Sequence, residues 1–206
     1  MQLTYVADPM CSWCWGFSAQ PLAALLADGD HTLALLMGGL RPYTTEPLGE
    51  AKAREILGHW HRVAEASGTP FAAEPHAAMQ APGFVYDTEP ASRAVVVARE
   101  HWPDRAWALM KAVQRAFYAD ARDVTQAAVL TDIAAECGID RDAFVAAFEA
   151  PAAREATARD FEQAQAWGIR GFPALIAEHG GRLHLIANGY TPVEALRERL
   201  QQLAAR

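Results

Sequence analysis

The chain has 206 residues, 51% hydrophobic and 21% charged, with three cysteines and a formal net charge of −7. That length suits one large domain or a domain carrying an insertion, and no apolar run approaches the roughly 20 residues of a membrane-spanning helix. The negative balance argues against a nucleic-acid partner held through its phosphates, which needs clustered Lys and Arg, and three cysteines are too few for a disulfide scaffold.

Residues 2–8 read as a buried strand, which Pro9 closes because it lacks a backbone donor. Since strand-like sequence begins at once, without a basic segment or a cleavage site, no secretory leader is expected and the cytoplasm is the expected location. Next comes Asp8-Pro9-Met10-Cys11-Ser12-Trp13-Cys14-Trp15-Gly16, then Ala19, Leu22, Leu25 and Leu26 near helical spacing. This predicts a helix starting at or beside Cys11, kinked or interrupted at Pro21. A second strand, residues 31–37, ends at Gly38-Gly39 and completes a βαβ unit.

From about Pro42 to Gly168 the sequence turns Ala-rich and helix-forming. Helices are predicted near 49–67, 90–102, 104–119, 126–137, 141–149 and 152–167. Pro70, Pro75, Pro82, Pro90, Pro103 and Pro151 mark boundaries, and Gly68 and Gly138 act as stops. Strands resume at 173–177 and 182–187 around Gly180-Gly181, a pair suited to a hairpin turn. In the last helix Thr191 reads as the cap, Pro192 as the first helical residue and Glu194 as the partner in a capping box. The predicted organisation is therefore a discontinuous domain, 1–42 with 169–206, interrupted by a helical insertion, 43–168.

Two thiols three residues apart where a strand hands over to a helix form a redox motif. The helix N-terminus favours a thiolate, so Cys11 is the expected nucleophile and Cys14, one turn deeper, the thiol that closes the disulfide. Two inert core cysteines, or half of a metal site, are the competing readings of the same pair. Gly171-Phe172-Pro173, ahead of a hairpin and far away in sequence, suits a cis-proline loop facing the thiols.

The segments YVADPMCSWCWGF and GIRGFPALI, with the helical insertion between them, resemble a DsbA-like member of the thioredoxin superfamily. The likeness is to the cytoplasmic group of predicted protein-disulfide isomerases. The resemblance implies an α/β thioredoxin-like fold with a central four-stranded mixed sheet. It further implies thiol–disulfide oxidoreductase or isomerase chemistry on protein or low-molecular-weight thiol substrates, glutathione among them. No cofactor beyond a redox-active Cys11–Cys14 disulfide and no metal are implied, in a monomer or homodimer. Phe172 and Pro173 would contact substrate beside the attacking sulfur, with Ser12 and Trp13 adding the surface between the thiols. Ser12-Trp13 stands where strongly oxidising relatives carry proline and histidine, so a charged partner for the thiolate is missing.

Two other functional classes compete. One is a glutathione-dependent transferase or isomerase of kappa-class type, which carries Ser in place of Cys11. The other is a non-enzymatic metal- or peptide-binding module. Among remaining residues, Asp8 reads as a helix cap or a solvated surface residue in preference to a proton relay. Trp15 and Cys137 read as packing residues, Cys137 beside Leu130, Ile133 and Ala134. His59 and His61 read as surface residues. Pro70-Phe71 and Pro82 to Tyr86 form an apolar connection suited either to a substrate groove or to buried loop packing.

Overall fold

A computed structural model describes residues 1–73 and 76–205. The chain runs β1 (Gln2–Ala7), α1 (Ser12–Ala19), α2 (Pro21–Ala27), β2 (Thr32–Met37), α3 (Glu50–Ser67), α4 (Ala77–Gln80) and α5 (Glu89–His101). It continues through α6 (Pro103–Tyr118), α7 (Ala127–Glu136), α8 (Arg141–Glu149), α9 (Pro151–Ala166), β3 (Ala174–His179), β4 (Arg182–Asn188) and α10 (Val193–Ala204). Of the expected helix boundaries, Pro75 lies outside the described residues. No helix among the described residues is long and apolar enough to cross a membrane.

The sheet order is β2-β1-β3-β4. β1 pairs parallel with β2 and antiparallel with β3, which hairpins to β4, so the sheet is mixed and four-stranded. β1 occupies an inner position between neighbours, and from Tyr5 onward all its residues are buried. Hence Tyr5-Val6-Ala7 is a continuous apolar run, while the outer half of the strand alternates, with Gln2 exposed and Thr4 half-buried on either side of the buried Leu3. The hairpin turns at Gly180 and Gly181, both at positive φ, which glycine tolerates without steric cost.

Pro21 interrupts the helix after Cys11, one of the two outcomes expected of it: it cannot donate to the preceding turn and instead starts α2, with Gln20 at φ −120 and ψ −79 between them. Two details differ from expectation. Thr191 does not cap α10: Pro192 takes an extended ψ of 152 and occupies the cap position, leaving the Thr191 hydroxyl to donate to the Gly189 carbonyl. The short α4 was not predicted; four residues carry too little periodicity to read.

Helices α3 to α9 all lie between β2 and β3 in sequence, yet one hydrophobic core joins them to the sheet. Leu3, Tyr5 and Met37 share it with Val95, Leu109, Phe117 and Phe144. A polar clamp reinforces the junction. Asp160 on α9 accepts from Met37 N (2.8 Å) on β2 and takes both guanidinium nitrogens of Arg99 on α5 (2.6 and 3.0 Å), while Arg99 also donates to the Leu35 carbonyl (2.9 Å). Removing one member leaves buried donors without acceptors. Asp160→Ala is therefore expected to cost about 2–3 kcal/mol of unfolding free energy by urea titration; a loss below about 1 kcal/mol would show that the clamp is not structural.

Candidate active site

The end of β1 builds the site. Asp8 folds the next residues into a turn: its carbonyl accepts from Cys11 N (3.1 Å) and its Oδ1 from Met10 N (2.8 Å). The Met10 carbonyl accepts the Tyr86 hydroxyl (2.7 Å). Cys11 thus emerges at the N-cap of α1 with extended backbone, φ −94 and ψ 116. Cys14, one turn on, is fully buried. Both are free thiols.

The facing wall comes from the far end of the chain. Phe172–Pro173 is a cis peptide, and the Cys11 Sγ donates to the Phe172 carbonyl at 3.7 Å. The Phe172 ring lies against Gly38, where an added Cβ would collide with it. Gly38 is therefore small because the ring occupies its side-chain space. Ser12 and Trp13 are half-buried beside Cys11, and the Trp13 ring tilts against Tyr190 at 5.8 Å. All six candidate residues, Cys11, Ser12, Trp13, Cys14, Phe172 and Pro173, thus belong to one neighbourhood, linked by α1 and the Cys11–Phe172 contact.

Beneath the thiols lies a set of buried hydroxyls. Tyr5 donates to the Cys14 carbonyl (3.1 Å). Tyr118 stacks on Trp15 (6.3 Å, 10°), and the Trp15 indole donates to the Pro70 carbonyl. The apolar connection resolves chiefly as buried packing: Phe84 and Tyr86 are buried, and Phe71 packs on Trp60 and Tyr118. Cys137 is half-buried against the core at the end of α7, and His59 and His61 are exposed. Among the described residues no group of three or more His, Cys, Asp or Glu could hold a metal ion.

Asp8 corrects the expectation of a solvated surface residue. It is fully buried, and its second oxygen accepts from Leu40 N (2.7 Å), so one carboxylate ties the Cys11 turn to the loop after β2. Burial pushes its carboxyl up to about 6, opposed by hydrogen bonds from Leu40, Thr88 and Met10. The folded protein holds this proton more tightly than the unfolded chain. The associated stability is therefore full below about pH 4 and is lost as pH rises through about 6. Two pKa units correspond to about 3 kcal/mol. Between about pH 4 and 7 the wild type should lose up to that much relative to Asp8→Asn, read as the difference of urea unfolding free energies; a flat difference would refute the assignment.

The profile of the DSBA-like thioredoxin domain family matches residues 2–201. A protein from Nitrosomonas europaea that bears the provisional name protein disulfide isomerase is 40% identical, with a TM-score of 0.88 over 99% of this chain and 97% of its own. The cytosolic disulfide reductase DsbM from Pseudomonas aeruginosa is 27% identical, with a TM-score of 0.82 over 100% of both chains. Its complex with GSH gives 0.79 at 27% identity over 99% of this chain and 100% of its own. A search of curated proteins gave no match. The family profile spans nearly the whole chain, and the four-stranded mixed sheet with its helices is consistent with it: the chain belongs to the DSBA-like thioredoxin domain family and is an oxidoreductase of that family.

Proposed function

We propose that the protein is a cytoplasmic thiol–disulfide oxidoreductase that exchanges electrons with protein or low-molecular-weight disulfides through Cys11 and Cys14. The observation that carries this reading is the Cys11 sulfur at the N-cap of α1, 3.7 Å from the Phe172 carbonyl. A helix N-terminus favours negative charge on that sulfur. The Phe172–Pro173 backbone offers an edge along which a substrate peptide can align beside it.

In the reductive direction the Cys11 thiolate attacks one sulfur of the substrate disulfide, forming a mixed disulfide and expelling the other sulfur as a thiolate, which takes up a proton. Cys14 then gives up its proton and attacks the Cys11 sulfur. The mixed disulfide breaks, Cys11–Cys14 closes, and the second substrate sulfur leaves reduced. Two electrons pass from the pair to the substrate, and no other cofactor is needed. Residues 1–42 and 169–206 carry both walls of the site in this reading, and the insertion 43–168 covers it from behind through Tyr86 and Tyr118. Ser12, Trp13, Phe172 and Pro173 meet the substrate.

Reduction is the favoured direction. Ser12-Trp13 supplies no cation to stabilise the thiolate, whereas strong oxidants owe their potential to a stabilised reduced form. DsbM, the relative named as a cytosolic disulfide reductase, supports the same direction, and its GSH complex supports glutathione as a reaction partner. The transferase reading, which expects serine at position 11, has no comparable support.

Cys11→Ser should abolish insulin disulfide reduction, and Cys14→Ser should accumulate a mixed disulfide detectable by mass spectrometry. Wild-type turnover by Cys11→Ser would sink the assignment. Equilibration against glutathione should place the pair nearer about −270 mV than about −120 mV, the range of a reductant; a value at the upper end would reverse the proposed direction.

A further inference from the structure

Cys14 has no exposed surface, and burial together with the neighbouring Cys11 holds its thiol well above the ordinary cysteine range. A thiol so placed becomes a nucleophile only if donors near its sulfur strengthen as charge develops. Two groups favour its charged form: the backbone of Asp8 and the hydroxyl of Tyr5. Tyr86 and Tyr118 are also buried nearby, but the thiol that influences both is Cys11. The Asp8 carboxylate is committed to Met10 N and Leu40 N. Tyr5 is thus the side-chain hydroxyl set against Cys14.

Its position in the fold explains this. Tyr5 lies in β1, its ring packed on Phe17 (5.7 Å) and Trp107 (6.2 Å), with the hydroxyl reaching α1. There it donates to the Cys14 carbonyl at 3.1 Å. Helix geometry already gives that carbonyl a donor, the Ser18 N–H four residues on, so the tyrosine bond is not needed to satisfy it. Behind the hydroxyl stands Gln114 of α6. Its Oε1 accepts the Ser18 hydroxyl at 2.6 Å, which leaves its buried Nε2 without a hydrogen-bond partner, close enough to the Tyr5 hydroxyl to act on it. Ser18, Gln114, Tyr5 and Cys14 are all fully buried. Once that Nε2 donates to the Tyr5 oxygen, the hydroxyl hydrogen is free to leave the Cys14 carbonyl for the Cys14 sulfur.

We propose that Tyr5 is a catalytic residue of the resolving step, its hydroxyl swinging from the Cys14 carbonyl to the Cys14 sulfur as the thiolate forms, with Gln114 and Ser18 orienting it. This rests on the roles given to Cys11 and Cys14 above. Tyr5 stays neutral throughout. The proton lost by Cys14 is balanced by the one taken up by the departing substrate thiolate; the substrate–Cys11 bond breaks as Cys11–Cys14 forms.

The test uses 5,5′-dithiobis(2-nitrobenzoate) in stopped flow, in a Cys137→Ser background so that the third thiol does not contribute. Attack by Cys11 releases one coloured thiolate, and resolution by Cys14 releases a second. Tyr5→Phe keeps the ring packing. It should leave the first phase within about twofold of its parent and slow the second about tenfold, the size of one lost hydrogen bond to a charged group. The pH midpoint of the second phase should rise by about one unit. Gln114→Met should slow the second phase in the same direction by about threefold, and it decides the matter if Tyr5→Phe does not fold. An unchanged second phase in a folded Tyr5→Phe protein, or in Gln114→Met where the first variant is lost, overturns the inference. Absence of a Cys11-dependent first phase in the parent would instead overturn the proposed function.

Discussion

One buried carboxylate settles where the reactive sulfur stands. Through its two oxygens Asp8 fixes Met10 on the near side of Cys11 and Leu40 on the far side, and its carbonyl holds the Cys11 amide. The loop after β2 is thereby held beside the thiols. In that loop Gly38 makes room for the Phe172 ring, and Phe172 in turn offers its carbonyl to Cys11. An acid placed in a dry interior is costly unless hydrogen bonds repay the desolvation. Here they do so only in part, which is why its proton affinity rises.

The thiols themselves sit in contrasting settings. Cys11 stands where helix N–H groups converge and an edge of backbone faces it. Cys14 is sealed beneath, with aromatic rings and hydroxyls around it. Such asymmetry suits sequential chemistry in which one sulfur meets the substrate and the other acts from within. The aromatic packing also gives the site a rigid base, since Trp15, Tyr118, Trp60 and Phe117 stack or meet edge to face in one cluster. Rigid support of this kind preserves distances that a looser pocket would lose.

What could be read in the sequence was whatever local chemistry decides. Pro9, the paired cysteines and the apolar spacing after them locate the strand-to-helix junction, and Gly180-Gly181 locates the hairpin. Prolines at 90, 103 and 151 mark helix starts to within a residue. Long-range partners escaped. Asp8 read as a helix cap or a solvated residue because carboxylates usually are one or the other; its second donor lies 32 residues away at Leu40. Tyr5 looked like one more apolar strand residue, since nothing near it reveals that its hydroxyl meets α1 and α6. Tyr190 behind Trp13 was missed for the same reason. Thr191 misled in the opposite sense: its local pattern was complete, but the extended ψ of Pro192 placed it outside the helix.

The inner place of β1 bears on how the protein is made. Its first neighbour, β2, follows within 40 residues, but its second, β3, begins at Ala174, so their pairing closes most of the chain length. Loop closure on that scale comes late, and a chain emerging from the ribosome N-terminus first displays its early segments for many seconds before the late ones exist. Cys11 and Cys14 are therefore translated long before Phe172 and Pro173, and during that interval the side of Cys11 that Phe172 faces stays open. The wall that faces the reactive sulfur is thus the last part of the site to be made, and a chain cut short before residue 172 would hold both thiols and lack the surface that faces them.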